Sequence, residues 1–273
     1  MILVGKFDGV LFFTDYDDTL YNTAHTVSPE NHAAIRYFQA NGGRFSVATG
    51  RAHRTFTPQI EQEGLVLNAP VVLGNGAAIY DYAACRYVVE TFLPSGAPAW
   101  LAQLCGEFPE LGFEAYHGED IYVHNPNVVT QQHLSRVGGS QILSPIEDMP
   151  TPWTKVILQQ DEPCLRRVQA RLLSLWGAQC EAIFSNPYLL EVTGKGCNKG
   201  AMVDRVARLL GVSRENLYCI GDNQNDIPML ALSAIPFAPA NCAQEVKDWG
   251  ARVLAHCDGH AVAQAIEILD SIY

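Results

Sequence analysis

The sequence contains no long uninterrupted apolar run, although hydrophobic residues make up 48% of its 273 residues. A helix that crosses a bilayer needs about 20 consecutive apolar residues, so we expect no membrane-spanning segment and no membrane partner. The N-terminal stretch MILVGKFDGVLFF has charged residues within its apolar part and no small-residue cleavage site, which makes it a poor signal peptide. These absences together predict a cytoplasmic location.

Basic residues are scarce. The chain has 18 lysines and arginines against 29 acidic residues, a net charge of -11. This balance argues against non-specific binding to nucleic acid or to anionic membranes. An anionic small molecule would therefore need local attraction, from a metal ion or from a few well-placed basic side chains. We expect no nucleic-acid partner, and a chain that is a monomer or a homodimer.

The sequence also lacks the spacings that mark zinc sites, disulfide frameworks and nucleotide-binding loops. Its eight cysteines are scattered, with no Cys-x-x-Cys pair, so we expect reduced and mostly buried thiols. The run Gly74 to Ile79 partly resembles a dinucleotide fingerprint but lacks the third small residue. The glycine- and lysine-rich run Thr193 to Gly200 lacks P-loop spacing.

Three carboxylates follow directly after an apolar run near the N-terminus. The run from Val10 to Phe13 is typical of a buried strand, and Asp15, Asp17 and Asp18 come after it. Like charges this close raise each other's pKa, and a cation relieves them. Hard oxygen ligands suit Mg²⁺, and a carboxylate can also attack phosphorus. The alternative at this point is an ordinary acidic turn after a strand.

The spacing of strands and helices predicts two patterns along the chain. Up to Ala77 the order is strand, helix, strand, helix, strand, which predicts a parallel sheet with its ligand site at the carboxyl ends of the strands. After a hinge at residues 94–98 the pattern mixes helices with antiparallel strands, and near residue 194 the first pattern returns. We predict a doubly wound, Rossmann-like parallel-sheet core (residues 1–93 and 194–273) with an inserted α+β cap domain (residues 94–193).

Two further strand ends of the predicted core add candidate ligands. Asp222 and Asp226 follow the buried strand Leu217 to Ile220, and together with the first acidic strand end they supply several hard oxygens for Mg²⁺. Thr49 and Gly50 offer a hydroxyl and an amide that can hold a phosphate oxygen. Lys199 begins a helix, where its charge opposes the helix dipole, so a phosphate ligand is favoured over a structural lysine.

This set of motifs resembles the haloacid dehalogenase-like superfamily of phosphatases. The four stretches that carry the resemblance, in the family's order, are Asp15-Tyr16-Asp17-Asp18-Thr19-Leu20, Ala48-Thr49-Gly50-Arg51, Cys197-Asn198-Lys199-Gly200 and Gly221-Asp222-Asn223-Gln224-Asn225-Asp226. The fourth, with Ile227-Pro228-Met229-Leu230 after it, is similar to the Cof-like branch, related to sucrose-phosphate phosphatases and phosphomannomutases. Asp18 departs from that branch, which usually has glycine at this position.

The resemblance implies a role for each matched residue. Asp15 would be the nucleophile and Asp17 the general acid and base. Asp15, the backbone carbonyl of Asp17 and Asp222 would hold Mg²⁺, and Asp226 would orient Lys199 or a metal-bound water. The residues that would bind the transferring phosphoryl group are Thr49, Gly50, Lys199 and Asn225.

For two residues close to these motifs, the sequence leaves two interpretations open. Arg51 either forms a salt bridge with a nearby carboxylate or contacts substrate. Asn75 either occupies a left-handed turn before Gly76 or contacts substrate.

In the cap, alternation between residues 113 and 124 predicts a hairpin with one polar face. If the hairpin turns over Gly118, the even positions share a face, and we expect that face to point toward the core site unless it is an ordinary solvated face. The resulting candidate substrate residues are Glu114, Tyr116, Tyr122 and His124.

The sequence thus predicts a Mg²⁺-dependent phosphatase that hydrolyses a small phosphate monoester, such as a sugar phosphate or similar phosphorylated metabolite, through an aspartyl-phosphate. Two alternatives remain at this point. A phosphomutase shares the motifs but returns the phosphoryl group to a sugar, and a non-catalytic sugar-phosphate sensor would lack the nucleophile or the acid.

Overall fold

The computed structural model describes residues 5–138 and 141–273. Within these two ranges no helix is both long enough and apolar enough to cross a membrane.

The secondary structure follows the two predicted patterns. The first segment contains β1 (Leu11–Thr14), α1 (Pro29–Ala40), β2 (Arg44–Val47), α2 (His53–Glu63), β3 (Val71–Leu73), β4 (Ala78–Asp81) and β5 (Arg86–Glu90). The middle segment contains α3 (Ala97–Glu107), β6 (Gly112–His117), β7 (Asp120–His124), α4 (Val128–Val137), β8 (Gln141–Leu143), β9 (Lys155–Gln159), α5 (Glu162–Trp176), β10 (Cys180–Asn186) and β11 (Leu189–Gly194). The last segment contains α6 (Lys199–Leu209), β12 (Leu217–Ile220), α7 (Ile227–Leu230), β13 (Pro236–Ala238), α8 (Gln244–Trp249), β14 (Arg252–Val253) and α9 (Ala261–Ile272).

The first and last segments share one parallel sheet, as the sequence predicted. Its strand order is β14-β13-β12-β1-β2, and a bridge between Ala48 and Val72 continues it to β3. Side chains along β1 alternate between two cores: Phe12 packs in the cluster that includes residues of α1 and α9, while Phe13 packs in the cluster that includes residues of α6. Because both faces of the central strand are buried under helices, the sheet is doubly wound.

The middle segment, from residue 94 to the end of β11 at Gly194, builds a second sheet, and we call this segment the cap. The strand order of its sheet is β10-β11-β9-β6-β7-β8. One face packs on α3 and α5 through residues such as Leu158 and Leu190. On the other face Ile157 and Leu189 pack in a cluster that includes Leu134 of α4. The boundaries at residues 93/94 and 193/194 stay a prediction.

The prediction that the even positions of β6 and β7 share one face of the hairpin is wrong. His117 pairs with Asp120 across a turn of Gly118 and Glu119, so cross-strand partners have opposite parity, and Glu114 lies opposite Val123. Tyr122 therefore shares its face with Ala115, and His124 with Phe113, toward the helices of the cap. The prediction assumed a turn centred on Gly118 alone, and a turn one residue longer reverses the parity of the second strand.

Candidate active site

The site begins where two adjacent parallel strands end. Thr14 of β1 pairs with Ile220 of β12, so the residues that follow lie side by side, and the amide of Asp15 donates to the carbonyl of Ile220 at 2.9 Å. One carboxylate oxygen from each of Asp15, Asp222 and Asp226 lies within 4.8 Å of the others. The two acidic strand ends predicted from the sequence therefore converge.

Lys199 lies inside this acidic cluster. It is the first residue of α6 and is almost fully buried, and its Nζ donates to Asp15 Oδ1 at 2.5 Å and to Asp226 Oδ1 at 2.6 Å. The other oxygen of Asp226 accepts from the backbone amides of Asp222 and Asn223. Burial alone would lower the pKa of Lys199, but the charges of the two carboxylates outweigh burial and raise it, so the lysine is cationic.

One ammonium does not balance three ionised carboxylates, so the cluster disfavours full ionisation in the absence of a further cation. Burial, only partly opposed by Lys199, raises the pKa of Asp15 to about 7, and burial with the charges of Asp15 and Asp226 raises the pKa of Asp222 well above its usual range. Carboxylate oxygens are the ligands that hard divalent cations prefer. The donor set therefore fits a divalent metal ion.

Asp17 is held by an arginine. The Nε and Nη2 of Arg51 donate to the two oxygens of Asp17 at 2.9 and 2.8 Å, a bidentate pair. Burial acts to raise the pKa of Asp17, but the hydrogen bonds and charge of Arg51 prevail and lower it. Of the two roles left open for Arg51, the structure contains the salt bridge, and the side chain also borders the cavity described next.

A cavity of about 180 Å³ lies above these residues, between the core sheet and the cap. Of the predicted core residues, those that line it are Asp15, Asp17, Gly50, Arg51, Asp222 and Asn225. Thr49, Asn75, Lys199 and Asp226 are buried and are not part of this lining. Asn75 has a left-handed φ of 56° and also accepts a hydrogen bond from the Asn225 amide at 3.0 Å, so it combines a turn with a contact to a predicted ligand.

A sequence model of the haloacid dehalogenase-like hydrolases matches residues 12–266. The chain belongs to this family. An HMP-PP phosphatase from Serratia proteamaculans is 25% identical over 269 residues, covering 93% of this chain and 92% of the relative. Pyridoxal phosphate phosphatase YbhA from Escherichia coli is 24% identical over 268 residues, covering 92% of this chain and 95% of the relative. A solved structure from Streptococcus mutans, 20% identical, covers 96% of this chain and 98% of its own with a TM-score of 0.86.

These similarities confirm three predictions for the haloacid dehalogenase-like chain. It has the Rossmann-like α/β fold of the family, it belongs with the Cof-like phosphatases, and it is an enzyme of the phosphatase class. Its relatives act on small phosphorylated substrates, and hydrolases of this family generally use a divalent metal, which agrees with the charge of the acidic cluster.

Of the four cap residues predicted to meet substrate, only Tyr116 lines the cavity of this phosphatase. Glu114 is fully buried behind it, where it accepts hydrogen bonds from the hydroxyl of Tyr116, from His133 and from Gln159. Tyr122 and His124 lie on the opposite face of the sheet, for the reason of parity given above. The prediction is therefore wrong for these two residues.

The structure brings seven other cap residues to the cavity that the sequence interpretation missed. They are His133 and Arg136 on α4, Lys155 on β9, and Ser185, Asn186, Leu189 and Glu191 on and around the β10–β11 turn. Lys155 and Glu191 did carry a signal, because each is a charged residue in a strand whose other residues are mostly apolar. In the structure both are buried and paired at 3.1 Å. The residues of α4 carried no such signal, because a helix surface normally bears charges.

Proposed function

We propose that this phosphatase hydrolyses a small phosphate monoester, dependent on Mg²⁺, through an aspartyl-phosphate on Asp15. The observation that carries the proposal is the position of Asp15, which borders the cavity with Lys199 on one side and Asp222 close by. A carboxylate in this position can attack phosphorus while the neighbouring cation offsets the charge of the incoming phosphate.

In the first step an oxygen of Asp15 forms a bond to phosphorus, and the ester bond between phosphorus and the leaving oxygen breaks. Asp17 gives its proton to the leaving oxygen. The pair with Arg51 lowers the pKa of Asp17, but an arriving phosphate dianion raises that pKa by repulsion and so favours the protonated acid. In the second step the oxygen of a water forms a bond to phosphorus and gives its proton to the ionised Asp17. The bond between phosphorus and Asp15 breaks, which releases inorganic phosphate and regenerates the Asp15 carboxylate.

The remaining core residues hold the reacting group. Thr49, Gly50, Lys199 and Asn225 would bind phosphoryl oxygens, and Asp226 would keep Lys199 in place through the observed hydrogen bond. Asp15, Asp222 and the backbone carbonyl of Asp17 would hold Mg²⁺. When bound, the metal ion supplies positive charge against the phosphoryl oxygens.

The relatives support a small leaving group. Two of them are named for HMP-PP and for pyridoxal phosphate. We propose a phosphorylated metabolite of that size, such as a sugar phosphate, because a cavity of about 180 Å³ between the core and the cap is too small for a macromolecule.

The test is a screen of phosphorylated metabolites that measures released phosphate. We expect turnover with Mg²⁺, loss of turnover in EDTA and recovery when Mg²⁺ is restored. Ca²⁺ should inhibit, because its longer and looser coordination misplaces the nucleophile. Full activity after thorough chelation would contradict the metal assignment.

The variant Asp15→Asn should bind substrate but release no phosphate, because a neutral amide does not attack phosphorus. Asp8→Asn is a matched control on an exposed aspartate near the same strand, and it should retain turnover. Substantial activity of purified Asp15→Asn protein would count against the covalent mechanism.

A further inference from the structure

The two sides of the cavity differ in charge. The core side presents Asp15, Asp17, Asp18 and Asp222 with one cation, Arg51. The described part of the cap presents Arg136, Lys155, His133 and Glu191. Lys155 is paired with Glu191 and His133 with the buried carboxylate of Glu114, so Arg136 is the cation of this lining without an acidic partner inside the described part of the cap. A substrate in this cavity would therefore meet an acidic core side and, on the cap side, the guanidinium of Arg136. Since the whole chain carries a net charge of -11, this cation beside the cavity is a local exception.

Arg136 reaches from the cap to the proposed acid and to its neighbour Asp18. Its Nη2 is 2.9 Å from Asp18 Oδ2 and 3.8 Å from Asp17 Oδ1. A guanidinium has five N–H donors in a planar fork. Among the described residues, the hydrogen bond that Arg136 donates goes to Asp18 and uses one of these donors. Donors therefore remain for a second acceptor. About two-fifths of the side chain is exposed, so a ligand can reach it.

Asp18 is fixed in an unusual conformation that holds this contact. Its φ is 60°, in the left-handed region that few non-glycine residues adopt, although asparagine and aspartate do so more often than most. Its amide donates to the carbonyl of Tyr21 at 2.9 Å, and its carbonyl accepts from the side chain of Asn241 at 2.7 Å. The surrounding structure thus fixes the backbone on both sides, and the carboxylate is presented to the cap.

We propose that Arg136, positioned by Asp18, binds a second anionic group on the leaving group of the substrate. The preferred substrate is then a phosphate monoester that also carries a carboxylate or a further phosphate. Arginine suits this role because its planar fork matches both of these groups. This inference rests on the proposed function, since it names the substrate class of the same site.

The experiment uses substrate pairs that differ in the second anionic group. Glycerate 3-phosphate is compared with glycerol 3-phosphate for a carboxylate, and fructose 1,6-bisphosphate with fructose 6-phosphate for a phosphate. The wild-type protein should have the higher kcat/KM on the acidic member of at least one pair. Arg136→Gln should lower that preference about 10- to 100-fold, the usual effect of losing a hydrogen bond between charged groups.

Arg54→Gln is the matched control. Like Arg136, Arg54 forms an ion pair between the core and the cap: it lies on α2 of the core and is 3.1 Å from Asp120 of the cap. Its side chain is exposed to a similar degree, but it does not line the cavity. The preference for the acidic substrate should survive this change. Equal loss in both variants, equal loss on both members of a pair in Arg136→Gln, or no wild-type preference in either pair would overturn the inference.

Asp18→Asn tests the positioning role, because asparagine tolerates a left-handed φ and removes only the charge. It should lower the preference about two- to fivefold, less than the loss of Arg136 itself. An unchanged preference would show that Asp18 does not position Arg136.

Binding separates the inference from the proposed function. Calorimetry with glycerate 3-phosphate and Asp15→Asn protein measures the contribution of Arg136 without turnover. Weaker binding after adding Arg136→Gln supports the inference even if no substrate is hydrolysed, while unchanged binding overturns it even if the phosphatase assignment holds.

Discussion

At the scale of single residues, the site depends on a cation buried among acids. The side chain of Lys199 is about 1% exposed and contacts the carboxylates of Asp15 and Asp226. One oxygen of a third carboxylate, Asp222, lies within 4.8 Å of an oxygen of each of them. A buried charge pair adds little net stability, but removing one partner leaves the other charge uncompensated in a poorly solvated place.

We therefore expect Lys199→Met to lower the free energy of unfolding by about 3–5 kcal/mol in EDTA, measured by urea denaturation. Mg²⁺ should restore part of the loss, because an ion that binds only the folded state stabilises it. Lys195→Met is the control. Lys195 is half exposed and forms an ion pair with Glu181 at 3.4 Å, and because water screens such a pair, its loss should lower the free energy of unfolding by less than about 1 kcal/mol. Similar losses for both lysines would contradict a special role for Lys199.

The core residues could be predicted from the sequence because each stands in a motif at a strand or helix end. Lys199 was identified in this way, since its position at a helix start is unfavourable for an ordinary lysine. Arg136 could not be identified, because it is one basic residue on a helix surface and its partner Asp18 is 118 positions away in the sequence.

At the scale of elements, the β6–β7 hairpin decides which cap side chains meet the cavity. Alternation identified both strands, and β6 and β7 are indeed strands. Their relative register depends on a turn of Gly118 and Glu119, and no pattern in the strands themselves reports the length of that turn. One residue in the turn therefore moved two of four candidates to the wrong face.

A variant on the cavity face of this hairpin should change substrate selectivity, and a variant on the opposite face should not. Tyr116 borders the cavity and its ring centroid lies 4.4 Å from the Lys155 ammonium, so Tyr116→Ala should change the ratio of kcat/KM between a metabolite and p-nitrophenyl phosphate by about tenfold. His124 packs beside Phe113 on the far face, so His124→Ala should leave that ratio unchanged. Kinetics on both substrates provide the measurement. A shift in the ratio for His124→Ala alone would contradict the observed register.

At the scale of the whole molecule, the cap and the core meet through a buried lysine. Lys155 on β9 donates to the carbonyl of Gly50 in the core at 2.7 Å and to Glu191 of the cap at 3.1 Å. The sequence predicted the insertion from a change in the order of strands and helices, and it predicted a cap face turned toward the core site. It did not predict the contacts that join the cap to the core, because residues such as Gly50 and Lys155 are 105 positions apart. We propose that this contact holds the turn of Thr49 and Gly50 in place.

Two variants test that proposal. Lys155→Met leaves Glu191 buried without its partner and should lower the free energy of unfolding by about 3–5 kcal/mol. The double variant Lys155→Met/Glu191→Gln removes the unpaired charge, keeps an acceptor for Ser185, and should recover most of that loss. Turnover should stay about 10- to 100-fold low in both proteins on every substrate, because a displaced phosphate-binding turn affects the group that all substrates share. Urea denaturation and kcat are measured on the same preparations. If the double variant recovers turnover together with stability, the contact between Lys155 and Gly50 has no part in catalysis, and the lysine serves only to neutralise Glu191.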